Sequence, residues 1–91
     1  MEKIILDFTG CKNLDDVHHL LKKQFDFPDY YGENLDALWD CLRDYFRYSF
    51  HVEIKGLYSL SHELYEYMGE VMEVFDDVHE EIPNITFEII S

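Results

Sequence analysis

The stretch Phe50-His51-Val52-Glu53-Ile54 decides the fold class. It alternates apolar and polar side chains, the period of a strand with one wet face. Helical patterns lie on both sides of it. Upstream, Asn34 can cap a helix beginning at Leu35, because its side chain can accept from a free N–H of the first turn. Before that, Val17, Leu20, Leu21 and Phe25 recur at helical spacing. Asn13 or Asp15 can cap this earlier helix, Lys22 and Lys23 suit its last turns, and Pro28 stops it. At the start, Lys3-Ile4-Ile5-Leu6-Asp7-Phe8 is a short β-branched, apolar run ending at Gly10, which predicts a strand. Downstream, residues 57–82 are helical in pattern, as one helix or as two divided at Gly69. Leu64, Tyr67, Met68, Val71, Val74, Phe75, Val78 and Ile82 form its apolar stripe. Pro83-Asn84 makes a turn, and Ile85-Thr86-Phe87-Glu88-Ile89-Ile90 is a last strand. Its near-continuous apolar character predicts a buried, central position. Strand, helix, helix, strand, helical region, strand is the order of an α/β fold. Crossover helices favour parallel pairing of three strands. With no repeat and no linker, residues 1–91 are expected to form a single domain.

Charge narrows the partners. Against 20 acids the chain has 7 Lys and Arg, for a formal net charge of −13. A phosphate backbone or an anionic membrane would repel such a surface, so neither nucleic acid nor membrane is the expected partner. A basic protein fits, and so does plain solubility. All the Lys and Arg lie before residue 56. Beyond it, Glu63, Glu66, Glu70, Glu73, Asp77, Glu80 and Glu81 form a carboxylate stripe. It is either a solvated face or an attractor for a basic surface.

Cys11 and Cys41 are too few for a disulfide-built domain and are expected to be reduced. No run approaches the ~20 apolar residues of a membrane helix. The opening apolar run Ile4-Ile5-Leu6 is too short for a signal peptide. A cytoplasmic protein is therefore expected.

The chain has no Gly-rich phosphate loop, Gly-x-Ser-x-Gly elbow or His-Glu-x-x-His motif. None of His18, His19, His51, His62 and His79 is spaced at i,i+4 from another His or from Cys. No enzyme activity, metal or cofactor is expected. On a helical wheel, Leu35, Leu38, Cys41, Leu42 and Tyr45 share one apolar face, opposite Asp36, Asp40, Arg43 and Asp44. Trp39 falls between the two faces. It either folds over the core edge or anchors a partner, as exposed aromatics beside charges do at interfaces. Tyr30 and Tyr31 precede this helix in a loop, and one of them is expected to pack inward.

One segment is more than pattern. The run Tyr30-Tyr31-Gly32-Glu33-Asn34-Leu35-Asp36-Ala37-Leu38-Trp39-Asp40, with the preceding Lys22 to Asp29 and the following Cys41-Leu42, closely resembles the defining segment of the barstar family. Leu20-Leu21-Lys22-Lys23, Val74-Phe75 and Ile85-Thr86-Phe87 extend the resemblance along the chain. The resemblance implies a three-stranded parallel sheet with surrounding helices. It implies an intracellular inhibitor of a small, basic, barnase-like ribonuclease, bound one to one by a chain that is monomeric when free. Asp40 would be the main carboxylate facing the enzyme's cationic centre, assisted by Asp36, with Tyr30, Trp39 and Tyr45 as aromatic contacts. Asp77 and Glu81 match acidic positions at the rim. Arg43 and Asp44 depart from the family, whose members carry small residues there. Arg43 is expected to pair with Asp40 or Asp36, or to repel the usual ribonuclease. The competing expectation is an acidic interaction module, or an immunity protein for a different basic toxin.

Overall fold

The computed structural model describes residues 2–44 and 49–90. Its elements run β1 (Glu2–Asp7), α1 (Leu14–Phe25), α2 (Leu35–Asp44), β2 (Phe50–Lys55), a 3-10 turn (Leu57–Ser59), α3 (His62–Glu81) and β3 (Ile85–Ile89). The three strands form one parallel sheet in the order β1-β2-β3. The α/β expectation therefore holds in strand number and direction. The order corrects one detail: β2 is central, and β3, read as the central strand, lies at the edge. Ile4 stands opposite Val52, and Val52 opposite Phe87. Sequential strands joined by right-handed crossovers place their helices on one face of the sheet. The apolar run of β3 gives up burial accordingly. Ile85 is buried, whereas Ile89 is 51% exposed.

The core lies between that sheet face and the helices. Phe50, Val52 and Ile54 of β2 meet Leu6 and Phe8, Val17, Leu21 and Phe25 of α1, and Leu64, Met68, Val71, Phe75 and Val78 of α3. Phe25 is its aromatic hub, with ring centroids 5.2 Å from Phe27, 5.8 Å from Phe50 and 6.2 Å from Phe75. Burying aromatic rings of this size dominates the energetics of a small core.

Local chemistry sets the boundaries. Asn13 is the cap of α1, its side chain accepting from the Asp16 N–H at 2.9 Å. That helix ends at Phe25, before Pro28 is reached, because Asp26 turns left-handed (φ 56°) and donates its N–H to the Lys22 and Lys23 carbonyls. Residues 62–81 form one helix straight through Gly69. Gly69 is exposed, and the apolar stripe on either side of it supplies the burial that keeps the helix continuous. The break comes earlier, where Ser61 caps α3 by accepting from the Leu64 N–H. Gly56 leaves β2 at φ +80°, and a Cβ there would lie 2.4 Å from the Thr9 backbone nitrogen. Only glycine fits that approach of the β2 exit to the β1 exit.

Candidate functional site

The site begins with a loop pinned from below. The Phe27 ring stacks on Phe25, and the Tyr31 ring centroid lies 4.9 Å from that of Phe27. The Tyr31 N–H donates to the Pro28 carbonyl at 3.0 Å, closing a turn. Tyr31 is 5% exposed, whereas Tyr30 is 80% exposed. One tyrosine of the pair holds the loop and the other projects from it.

A buried histidine completes the anchor. His18 of α1 lies between two hydroxyls, with Nδ1 2.7 Å from Tyr31 Oη and Nε2 2.7 Å from Tyr67 Oη of α3. This ties α1, the loop and α3 together. Burial pushes the His18 pKa below its ordinary value, outweighing the pull of Glu33 and Asp15, and pushes both tyrosine pKa values up. The imidazole is therefore neutral and the phenols protonated, as hydrogen bonding between them requires. Sequence reading weighed His18 only as a metal ligand. Its partners lie 13 and 49 residues away, beyond the reach of any periodicity. A second tie from α1 is the contact of His19 Nε2 with Glu33 Oε1, at 2.9 Å.

The Asn34 side chain then accepts from the Ala37 N–H at 2.8 Å, so α2 starts where the sequence placed it. Leu38, Cys41 and Leu42 are buried against the core, and Leu35 is half-buried. The helix packs on α3, leaving Asp36, Asp40, Arg43 and Asp44 exposed. Burial, helped by Asp44 and Asp40, raises the Cys41 thiol pKa and keeps it protonated. Cys11, half-buried, is likewise free and raised. Trp39 is half-buried, with one side packed against the core.

Arg43 corrects an expectation. Neither Asp40 nor Asp36 is its partner; its Nε lies 3.1 Å from Glu81 Oε2 at the end of α3. Its Cζ sits 4.3 Å from the centroid of the Trp39 ring, one turn back on α2. The i,i+4 spacing lays the guanidinium on the aromatic face, where a cation is attracted by the ring quadrupole. From there the guanidinium pairs with Glu81 of α3. The helix wheel contained the stacking; the pairing across helices it could not contain.

Asp40, Arg43, Asp44, Glu81 and Ile82 thus line one open cleft between the ends of α2 and α3. Trp39 joins it through Arg43, and Asp36 continues the same face one turn earlier. Asp77 is exposed one turn before Glu81. Tyr30 stands out from the loop before α2. Tyr45 lies outside the described residues. The acidic stripe of α3 is exposed throughout. What the face can do chemically is present carboxylates and aromatic surface to a cationic partner.

A different group could hold an ion. Among the described residues, His51, Glu53 and Glu88 have ligand atoms within 4.8 Å of one another, on the sheet. Each already has a partner. Lys3 Nζ lies 3.0 Å from Glu53, while His51 reaches Thr86 Oγ1 at 2.7 Å and Glu88 at 3.1 Å. No helix among the described residues is long and apolar enough to cross a membrane.

Comparison with known proteins agrees with this architecture. Residues 1–90 match the family described as Barstar (barnase inhibitor). A protein of Bacillus subtilis (strain 168), named "Putative ribonuclease inhibitor YrdF", is 40% identical over 90 residues. The match spans 99% of this chain and 98% of that protein. A parallel three-stranded sheet with its helices, a tyrosine-bearing loop and an acidic α2, matched from end to end, place the chain in the barstar family.

Proposed function

We propose that this chain is a protein inhibitor of a small, basic ribonuclease, which it binds one to one through the outer face of α2. The observation that carries the reading is the pair of exposed carboxylates, Asp36 and Asp40, one turn apart beside half-buried Trp39, on a helix whose opposite face is buried. An enzyme that cleaves RNA needs cations to hold phosphate, and these two carboxylates stand in for the phosphates. Asp40 faces the cationic centre and Asp36 assists it. Tyr30 and Trp39 supply flat surface that loses little conformational entropy on binding. Tyr45 joins them on the strength of the sequence resemblance. Asp44, Asp77 and Glu81 form the acidic rim, with Arg43 among them. The net charge of −13 adds long-range steering of a basic enzyme.

The chain itself performs no chemistry in this reading. It acts in the cytoplasm and confers immunity on the cell that would otherwise be cut. The test is RNA cleavage by barnase and related basic ribonucleases in the presence of the purified chain. Stoichiometric loss of cleavage is expected. Full activity of every such enzyme at micromolar excess of the chain would overturn the reading and leave a different basic toxin as the target.

A further inference from the structure

The face proposed to receive a cationic enzyme already holds a cation of its own. Arg43 covers the Trp39 ring at 4.3 Å and pairs with Glu81 at 3.1 Å. Both are residues that the ribonuclease reading gives to the partner. A lysine or arginine arriving at the last turn of α2 would therefore find its aromatic surface and its rim acid taken.

Displacing Arg43 would not resolve the conflict. The cleft is narrow in choice of partners: its lining residues are Asp40, Arg43, Asp44, Glu81 and Ile82. An arginine pushed off Glu81 stays tethered to the last turn of α2, so its charge remains near the incoming cation. Like charges brought together in a drying interface are strongly unfavourable. The guanidinium also has more to offer than it uses on Glu81. Its contact with Glu81 runs through Nε, and the group carries five N–H donors in all.

Resting on the ribonuclease reading, we infer that Arg43 determines which enzyme is accepted. The cognate ribonuclease confines its cations to the part of the site facing Asp36 and Asp40. Opposite the last turn of α2 it presents hydrogen-bond acceptors in place of cations. Enzymes whose basic patch runs on to that turn are discriminated against by Arg43, whose pairing with Glu81 and stacking on Trp39 hold it across the cleft.

The experiment compares the parent chain with Arg43→Ala for binding to barnase by calorimetry, at low and at moderate salt. Trp39 is the single tryptophan of the chain, so its emission in the free proteins reports the stacked cation independently of any partner. Its spectrum is expected to change in Arg43→Ala while far-ultraviolet circular dichroism stays the same. Arg43→Ala is expected to bind barnase at least tenfold more tightly than the parent, with the gap narrowing as salt screens the repulsion. Equal or weaker binding by Arg43→Ala would overturn the inference and leave the ribonuclease reading standing. Absence of binding by both proteins, to barnase and to every related basic ribonuclease of the cleavage assay, would overturn both, because removal of the cation should restore docking to at least one basic enzyme.

Discussion

Replacing Tyr31 by phenylalanine removes one oxygen atom and keeps the ring that packs on Phe27. The lost hydroxyl is the 2.7 Å partner of His18 Nδ1, and His18 is 2% exposed. Water therefore has little access to the stranded nitrogen. Leaving a buried polar atom unpaired costs about 1–3 kcal/mol, against the much smaller change expected where water can replace the bond. With a urea m-value of about 1–3 kcal/mol/M for a small domain, a loss near 2 kcal/mol lowers the unfolding midpoint by about 1 M. The control is Tyr30→Phe. Tyr30 is 80% exposed, so its variant should stay within about 0.5 kcal/mol of the parent. Urea titration of the three proteins at pH 7.5, followed by circular dichroism, makes the comparison. Equal midpoints for Tyr31→Phe and the parent would refute the reasoning, because the loop would then not depend on the His18 clamp.

Further predictions concern pH, the β2 exit and steering. The depressed pKa of His18 means that the unfolded chain takes up its proton first as acid is added. Its contribution to stability is full above the free value of 6.5 and is lost as pH falls through the folded-state pKa. Urea midpoints measured from pH 7.5 downwards should decline across that window, and the decline should be shallower in His18→Gln. Gly56→Ala places a Cβ 2.4 Å from the Thr9 nitrogen at φ +80°. A side chain in that region costs about 1–3 kcal/mol before the clash is counted, so thermal unfolding should come markedly earlier. Glu70→Gln removes an exposed charge of the α3 stripe. It should slow association with a basic ribonuclease at low salt and leave dissociation unchanged in stopped-flow traces.

The parts of the fold that sequence revealed are those governed by local rules. The alternation of β2 predicted its buried Phe50, Val52 and Ile54. Of the two caps the sequence offered for α1, Asn13 is the one used, and Asn34 predicted where α2 begins. What sequence misplaced was relational. The apolar run of β3 resembled a central strand, yet a strand's place in the sheet is decided by how the crossovers wind, and β2 took the centre. Gly69 left one helix or two open, and its exposure, with the buried stripe of α3 intact on either side, decided for one.

The same division holds at the site. The faces of α2 followed from 3.6-residue periodicity, and one inward tyrosine from two adjacent aromatics. The His18 clamp and the Arg43–Glu81 pair join residues that only tertiary packing brings together. Like the place of β3, they depend on neighbours that a one-dimensional pattern cannot name.

The most direct test of the account is the affinity of the parent chain and Asp40→Ala for a basic ribonuclease, measured side by side by calorimetry. Truncating one member of a buried, hydrogen-bonded charge pair costs about 2–5 kcal/mol, the barnase–barstar interface being the measured reference for such pairs. The account predicts one-to-one binding by the parent that weakens as salt rises, and a loss of that size in Asp40→Ala. Equal affinity of the two proteins would contradict it, because the outer face of α2 would then not be the surface that meets the enzyme.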